Sequence, residues 1–427
     1  MIGLIKNLKN GDNMKIGIGT DFHLGLRQYG LEEREDDFYR QFDTMIDFFI
    51  KKEVDVVIMG GDIFDQPRPS PRALGVFTEG LQRLIDNNII VTNIIGNHTM
   101  IQNPNFVTAD EYVFHNMRDM GSGVVLLGYE NNIRYTVDMD GVQIYGLPFH
   151  FDYDMDNFIQ KVNELNEYAK EDDVAILVLH QAFKEFCGFT GETLSINDID
   201  TSNFDLIVCG HIHERKLTEL SNGTVFLQPG SLERSTIAEA RDEENHHKGV
   251  YIIDTNEMDI MSIANGFCRI HCKRHFLIAD MYINDMDDIE DMEAEILYEA
   301  SHYVNAPILF LTVHDITNSF LTINEFVKDL KDDFLTVRLN YFDETQDLNE
   351  LILDANDIPT VRGVLKLAFN PLDEQQSKLG IDIYENLKDG KDISGLLNDF
   401  YNKNYNNNTS RELSQDNFQT FEEWINQ

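Results

Sequence analysis

Five short apolar runs in this chain each end in residues that bind metals or move protons. "IGIGTDFH" delivers Asp21 and His23, "VVIMGGD" delivers Asp62, and "NIIGNH" delivers Asn97 and His98. "ILVLH" delivers His180, and "LIVCGHIH" delivers His211 and His213. A single polar residue at a strand end is usually a turn cap. Eight such groups in five matching contexts make a site, because α/β sheets gather functional groups at the carboxyl ends of their strands. Carboxylate, imidazole and amide together suit a borderline divalent ion such as manganese, iron or zinc. One aspartate can bridge two ions, and a pair about 3.5–4 Å apart activates water and clamps a phosphoryl oxygen. A spare imidazole can protonate the leaving oxygen. Gly60, Gly61, Gly96 and Gly210 stand just before the delivered residues and permit tight turns and close backbone approach.

The elements that position these groups follow from hydrophobic period. From Met14 to about Asp254, Val/Ile-rich runs alternate with helix-like segments, the pattern of an α/β core. "MKIGIG", "DVVIMG", "IIVTNIIG", "VAILVL", "FDLIVCG", "TVFLQ" and "GVYIID" read as strands. Helices are expected from Glu33 to Lys51, over "SPRALGVFTEGLQRLIDNN" with Ser70 as cap and Pro71 at its first position, and from about Asn157 to Ala169. After about Gly266 the texture changes. "CRIHCKRHFLIADMYI" alternates like a strand, an acidic helix follows, and "APILFLTVH", "TINEFVKDLKDDF" and "LTVRLNYF" complete a small α+β unit. From about Asn370 the chain is polar and helical, with amphipathic "SGLLNDFY" and "FQTFEEWINQ".

The 427 residues are enough for two or three domains, and 42% hydrophobic content supports a large core. No apolar run reaches membrane-spanning length, and the first residues lack a signal peptide's apolar centre. Four cysteines do not make a disulfide framework in a chain this long, so a reducing, cytoplasmic setting is expected. Net charge is -41, from 75 Asp and Glu against 34 Lys and Arg. Taken alone, that charge argues against binding phosphate backbones.

The motifs D-x-H, G-D, G-N-H, H and G-H-x-H, here "DFH", "GGDIFD", "GNH", "LHQ" and "GHIH", resemble those of the calcineurin-like metallophosphoesterases. "TDFHLGLRQYGLEEREDDFY", "GGDIFDQPRPSP", "LVLHQAFKEF", "CGHIHERK" and "QPGSLERST" narrow the resemblance to the SbcD family, the bacterial, phage and archaeal branch of the meiotic-recombination-type DNA repair nucleases. The resemblance implies an α/β (α+β) sandwich of two mixed β-sheets flanked by helices, with a small α+β capping domain and C-terminal helices. It implies an N-terminal extension over 1–13, a nuclease domain over 14–265, a cap over 266–369 and a helical partner-binding region over 370–427. In that family's pattern Asp21, His23 and His213 hold one metal, Asn97, His180 and His211 the other, Asp62 bridges them, and His98 is the catalytic imidazole. The implied activity is manganese-dependent exonuclease and endonuclease cleavage of double- and single-stranded DNA ends in double-strand-break processing, repair or recombination. The implied assembly is a homodimer within a heterotetramer with an SbcC-type coiled-coil ATPase. Two positions depart from the pattern: Thr99 stands where an acid usually follows G-N-H, and Asp65 where many relatives have histidine. The second departure leaves the balance of exonuclease and endonuclease action open.

Other candidates are weaker. Cys268, His271, Cys272 and His275 invite a zinc reading, but their spacing fits no familiar finger. "NDMDDIEDMEAE" has Glu290 where a calcium loop needs glycine. Arg27, Arg34, Arg68 and Arg72 read equally as DNA-proximal residues or as ordinary surface arginines. Leu396, Leu397, Phe400 and Tyr401, with Phe418, Phe421, Trp424 and Ile425, mark two apolar helical faces for an ATPase coiled coil or for the chain's own body.

Overall fold

The computed structural model describes residues 14–343 except 101–106, 120–122, 129–133, 140, 171, 188–193, 242–246, 284–286 and 316–319. The 1–13 extension, the end of the 266–369 segment and the whole 370–427 segment with its two apolar faces lie outside the described residues. In chain order the strands are β1 Lys15–Gly19, β2 Val56–Met59, β3 Ile90–Asn93, β4 Val124–Leu126, β5 Arg134–Met139, β6 Val142–Gly146, β7 Val174–His180, β8 Leu206–Gly210, β9 Lys216–Glu219, β10 Val225–Gln228, β11 Gly249–Asp254, β12 Phe267–Arg269, β13 Phe276–Ile283, β14 Ile308–Asp315 and β15 Thr336–Asp343. The helices are α1 Glu32–Lys52, α2 Pro71–Asp86, α3 Ala109–Asp119, α4 Met155–Ala169, α5 Ala238–Arg241, α6 Ile260–Asn265, α7 Asp287–Ala300 and α8 Phe320–Asp329.

Two six-stranded mixed sheets face each other. The first has the order β12-β11-β1-β2-β3-β4 and the second β5-β6-β7-β8-β10-β9. β1 to β4 are mutually parallel, as are β6, β7, β8 and β10, while β11 pairs antiparallel with β1, β12 with β11, β5 with β6 and β9 with β10. Strand period explains the layers. Ile16, Ile18, Val56 and Ile58 point between the sheets, against Ile176, Val178, Leu206 and Val208. Val57 and Met59 point the other way, onto Phe42, Met45, Ile46 and Phe49 of α1 and Phe77 and Leu81 of α2. The second sheet covers its far face with Phe158, Val162 and Leu165 of α4. Gly17 is required by packing, since a Cβ there would lie 2.8 Å from the Phe49 ring. The cap predicted for α2 is present: Ala73 N donates to Ser70 Oγ at 3.1 Å, with Pro71 opening the helix.

The third sheet, β13-β14-β15, packs one face on α7 and α8 through Met281, Ile283, Leu311, Val313, Ile296 and Phe326. The run 267–283 is not one strand. β12 pairs with β11 in the first sheet, and a break from Ile270 to His275 precedes β13. Arg274 explains the break: it turns inward, donating from Nε to Asp37 Oδ2 at 2.6 Å and from Nη1 to Ala306 O at 2.5 Å. Cys272 is buried beside Gln41, which donates to its sulfur at 3.3 Å, and His271 is exposed. Among the described residues no metal-capable cluster includes these cysteines. Asp287–Ala300, read against as a calcium loop, is helix α7. Among the described residues, no helix is long and apolar enough to cross a membrane.

Candidate metal centre

All eight residues follow the carboxyl ends of parallel strands: Asp21 and His23 after β1, Asp62 after β2, Asn97 and His98 after β3, His180 at the end of β7, His211 and His213 after β8. The two sheets bring these ends together. Asp21, His23 and His213 present ligand atoms within 4.8 Å of one another, and so do Asp62, His180 and His211. His23 Nε2 and His213 Nε2 face each other at 3.0 Å. Asn97 Oδ1 lies 3.0 Å from His180 Nε2 and 2.7 Å from His211 Nδ1. Asp62 Oδ2 lies 3.1 Å from His180 Nε2, while Asp62 Oδ1 accepts the His98 main-chain N–H at 2.9 Å. Asp21 Oδ1 accepts the His211 main-chain N–H at 3.0 Å. His98 lies at the margin: it forms a third such group with His23 and Asp65, its side chain is 40% exposed, and its ring stands edge-on to His23 with centroids 4.6 Å apart.

The backbone is strained where these groups are delivered. Asp21, His23, Asp62 and His211 have φ of 55°, 46°, 47° and 89°. Non-glycine residues take such values at a cost of order 1–3 kcal/mol each, and they collect at functional sites. Gly96 shows how closely the loops meet, since a Cβ there would fall 2.1 Å from Asp62 Oδ1 and 2.5 Å from Asp62 N.

The donor set fits divalent metal. Asp21 Oδ2 is buried without a hydrogen-bond partner, although Asp21 is fully enclosed. His23 Nε2 and His213 Nε2 face each other at 3.0 Å with room for an ion to take both lone pairs once each ring carries its proton on Nδ1, and a carboxylate completes each trio. Burying such groups unpaired is costly, and a bound cation removes that cost. Burial alone would raise the Asp62 carboxyl, but the bonded His180 imidazole, with His23 and His98 near, holds it well below the usual carboxylate range. Burial opposes charge on His180 too, yet the Asp62 carboxylate outweighs it and lifts the imidazole to about 9. Burial, then the neighbouring His180, pushes His211 down to about 4.

Ring orientation is set from behind. His180 Nδ1 donates to Gly60 O at 2.8 Å, which turns Nε2 toward Asp62 and Asn97. His213 Nδ1 meets Ser235 Oγ at 2.8 Å and lies 3.5 Å from Glu239. Glu239 is in turn paired with Lys248 and accepts from Ser235 Oγ and Thr236 Oγ1. Motif reading passed over Ser235 and Glu239. The available signal was "TIAE": Thr236 and Glu239 have the spacing of a helix-start capping pair, and Glu239 N donates to Thr236 Oγ1 at 3.3 Å.

Thr99, the first departure, is fully buried beside Asp110 of α3, which is also fully buried. Asn93 Nδ2 donates to Asp110 Oδ1 at 3.3 Å. Burial lifts the Asp110 carboxyl to about 7, and the Thr99 and Asn93 side chains offset only part of this. The native state therefore holds this proton more tightly than the unfolded chain does. That contribution is full below the ordinary value of 3.8 and is lost as pH rises through about 7. Asparagine has no proton to lose. The native chain should lose up to about 4 kcal/mol relative to Asp110→Asn across this window. Thermal unfolding midpoints of both proteins, measured through that range, check this: the gap should move in the variant's favour as pH rises, and parallel curves contradict it.

Of the four arginines singled out, Arg34 is not on the surface. It lies within α1, fully buried, donating to Asp37 Oδ2 at 2.7 Å, Arg234 O at 2.8 Å and Gln28 Oε1 at 2.9 Å. Arg27 and Arg72 are half-exposed and paired with Glu35 and Asp36. Arg68 is exposed.

Comparison with known proteins agrees with this geometry. Residues 14–215 match the profile of the calcineurin-like phosphoesterases. The DNA double-strand break repair protein Mre11 of Methanococcus maripaludis is 27% identical over 389 residues, 90% of this chain and 98% of that protein. Its namesake from Saccharolobus solfataricus is 26% identical over 385 residues, 88% of this chain and 96% of its own. The protein of that name from Thermoplasma acidophilum is 30% identical over 255 residues, 57% of this chain and 63% of its own. Residues 14–215 thus match the calcineurin-like phosphoesterases, and over about 90% of its length the chain is similar to proteins named for Mre11, the relationship that its SbcD-type motifs implied.

Proposed function

We propose that this chain is a manganese-dependent DNA nuclease, an exonuclease and endonuclease that hydrolyses phosphodiester bonds during double-strand-break processing, repair or recombination. The observation that carries the reading is the pair of ligand trios, Asp21/His23/His213 and Asp62/His180/His211, with Asn97 Oδ1 against both His180 and His211. In this reading the first trio holds one ion, Asn97, His180 and His211 hold the second, and Asp62 bridges them. The bound ions supply Lewis acidity and an activated water. The protein's own groups do the rest. Gly60 O, Ser235 and Glu239 fix the ligand rings. His98, beside the trios but partly exposed, keeps Nδ1 on Asp65 O at 2.9 Å and offers Nε2 to the leaving oxygen.

The relatives named for DNA double-strand break repair support DNA as the substrate. A net charge of -41 opposes unaided DNA binding, so an SbcC-type ATPase supplies the basic surface. Residues 370–427 grip its coiled coil, residues 266–369 cap the 14–265 nuclease domain, and two copies pair within a cytoplasmic heterotetramer. The experiment is incubation of the purified chain with manganese and end-labelled duplex and single-stranded DNA, beside His98→Ala. The native chain cuts, the variant is slower by about 10²–10⁴-fold, and the product ladder gives polarity. A native chain that leaves DNA intact but cleaves a chromogenic phosphodiester has a working site that awaits its ATPase. A chain that cleaves neither contradicts the reading.

A further inference from the structure

Asp65 stands behind two imidazoles of different function. Its Oδ1 lies 3.5 Å from His23 Nδ1 and 3.7 Å from His98 Nδ1. These are ion-pair distances; the hydrogen bond of His98 Nδ1 goes to the main-chain oxygen of the same residue, at 2.9 Å. His23 Nδ1 is buried and has no hydrogen bond of its own, so the Asp65 carboxylate is the acceptor-type group that faces it. On the far side of that ring, Nε2 points at His213 Nε2. The side chain of Asp65 is mostly enclosed, at 14% exposure, and Leu24 N and O bracket the segment through contacts with Ile63 O and Asp65 N. The carboxylate is thus held in place by backbone pairing between the loop after β1 and the loop after β2.

We infer that Asp65 is a positioning residue for both rings. Its carboxylate favours the Nδ1–H tautomer of His23, which leaves the Nε2 lone pair for the ligand trio; its main-chain oxygen accepts Nδ1–H of His98, which aims Nε2 at the leaving oxygen, where the proton given up is a second one carried on Nε2 of the doubly protonated ring. This deepens the nuclease reading and rests on it. The chemistry requires such a device. A neutral imidazole carries its proton on one nitrogen only, and the hydrogen bond on the other side decides which. A carboxylate behind a ligating histidine is a recurrent way to fix its tautomer and ring plane. Here one carboxylate oxygen lies at ion-pair distance from a ligand's ring and from the proton donor's ring, which meet edge to face. Histidine at this position could accept or donate but would bring no fixed negative charge, so the aspartate alters the site's electrostatics as well as its shape.

The test compares the native chain with Asp65→Asn and Asp65→Glu. Manganese titration of the metal-free proteins comes first. One of the two ions should bind about 10–100-fold more weakly to Asp65→Asn, with Asp65→Glu nearer native. At saturating manganese, two phosphodiesters are then compared, one with a nitrophenolate leaving group and one with an alkoxide. The alkoxide depends on the proton from His98, and the nitrophenolate does not. Asp65→Asn should lose at least about tenfold on the alkoxide and less than about threefold on the nitrophenolate, a split that general loosening of the fold would not produce. Native manganese affinity together with an equal loss on both diesters overturns the proposal. A native chain that cleaves neither diester contradicts the nuclease reading instead, and the manganese titration then decides the role of Asp65 by itself.

Discussion

Asp62→Ala should lose turnover by about 10³-fold or more, the upper range for removal of one electrostatic stabiliser, because this side chain serves three parts of the site at once. Asp62 Oδ2 holds His180, Asp62 Oδ1 holds the main chain of His98, and Gly96 packs directly on the same oxygen. Alanine removes the ligand proposed to be shared and also the acceptor of the His98 main-chain N–H in the loop that carries Asn97 and His98. The substitution need not unfold the protein, since the methyl occupies space already enclosed by β2, β3 and β7. Single-turnover cleavage of end-labelled duplex in excess enzyme reads the rate, and circular dichroism verifies the fold. A folded Asp62→Ala chain that cleaves within tenfold of native contradicts a bridging role.

The largest stability effect should come from Asp37, far from the chemistry. Its carboxylate accepts from Arg34 Nη1 at 2.7 Å, Arg40 Nη2 at 2.6 Å and Arg274 Nε at 2.6 Å, with Arg34 and Arg274 both buried. Arg34 also lies over the rings of Phe38 and Phe276. The cluster ties α1 to the segment entering β13, so it joins the phosphoesterase layers to the three-stranded sheet. Asp37→Ala leaves the buried Arg274 guanidinium without its carboxylate and Arg34 with only the longer pair to Glu233 at 3.5 Å, a loss worth roughly 3–5 kcal/mol. For a unit of this size that lowers the thermal midpoint by on the order of 10 °C. The control is Asp36→Ala, which removes a half-exposed pair with Arg72 and should move stability by less than about 1 kcal/mol. Equal midpoints for the two variants contradict the reading of Asp37 as the centre of the joint.

The gathering of the eight residues was legible in the sequence for a local reason. Each candidate follows its own strand within five residues or ends it, so strand pattern and residue type suffice, and parallel pairing does the gathering. The cap of α2 was legible for the same reason, since Ser70 and Pro71 act on their own helix. What escaped depends on distant partners. Arg34 looked like a surface residue because its acceptor Arg234 O lies 200 positions away. The run 267–283 looked like one strand because alternation continues through Arg274, whose inward turn is dictated by Asp37, 237 positions earlier. Ser235 and Glu239 have no metal-like spacing and act only through His213. Asp110 reaches Thr99 only because α3 packs beneath the loop after β3, a tertiary fact with no local signature.

The central claim is a two-ion site built by eight strand-end residues, and counting ions tests it most directly. Native mass spectrometry of the purified chain, stripped of metal and titrated with manganese, reports the stoichiometry without relying on activity. The account predicts two ions per native chain, two per His98→Ala chain, and fewer than two per Asp62→Ala chain over the same titration. One ion or none on the native chain at saturation, or an Asp62→Ala chain that still takes up two as tightly as the native chain, would contradict it.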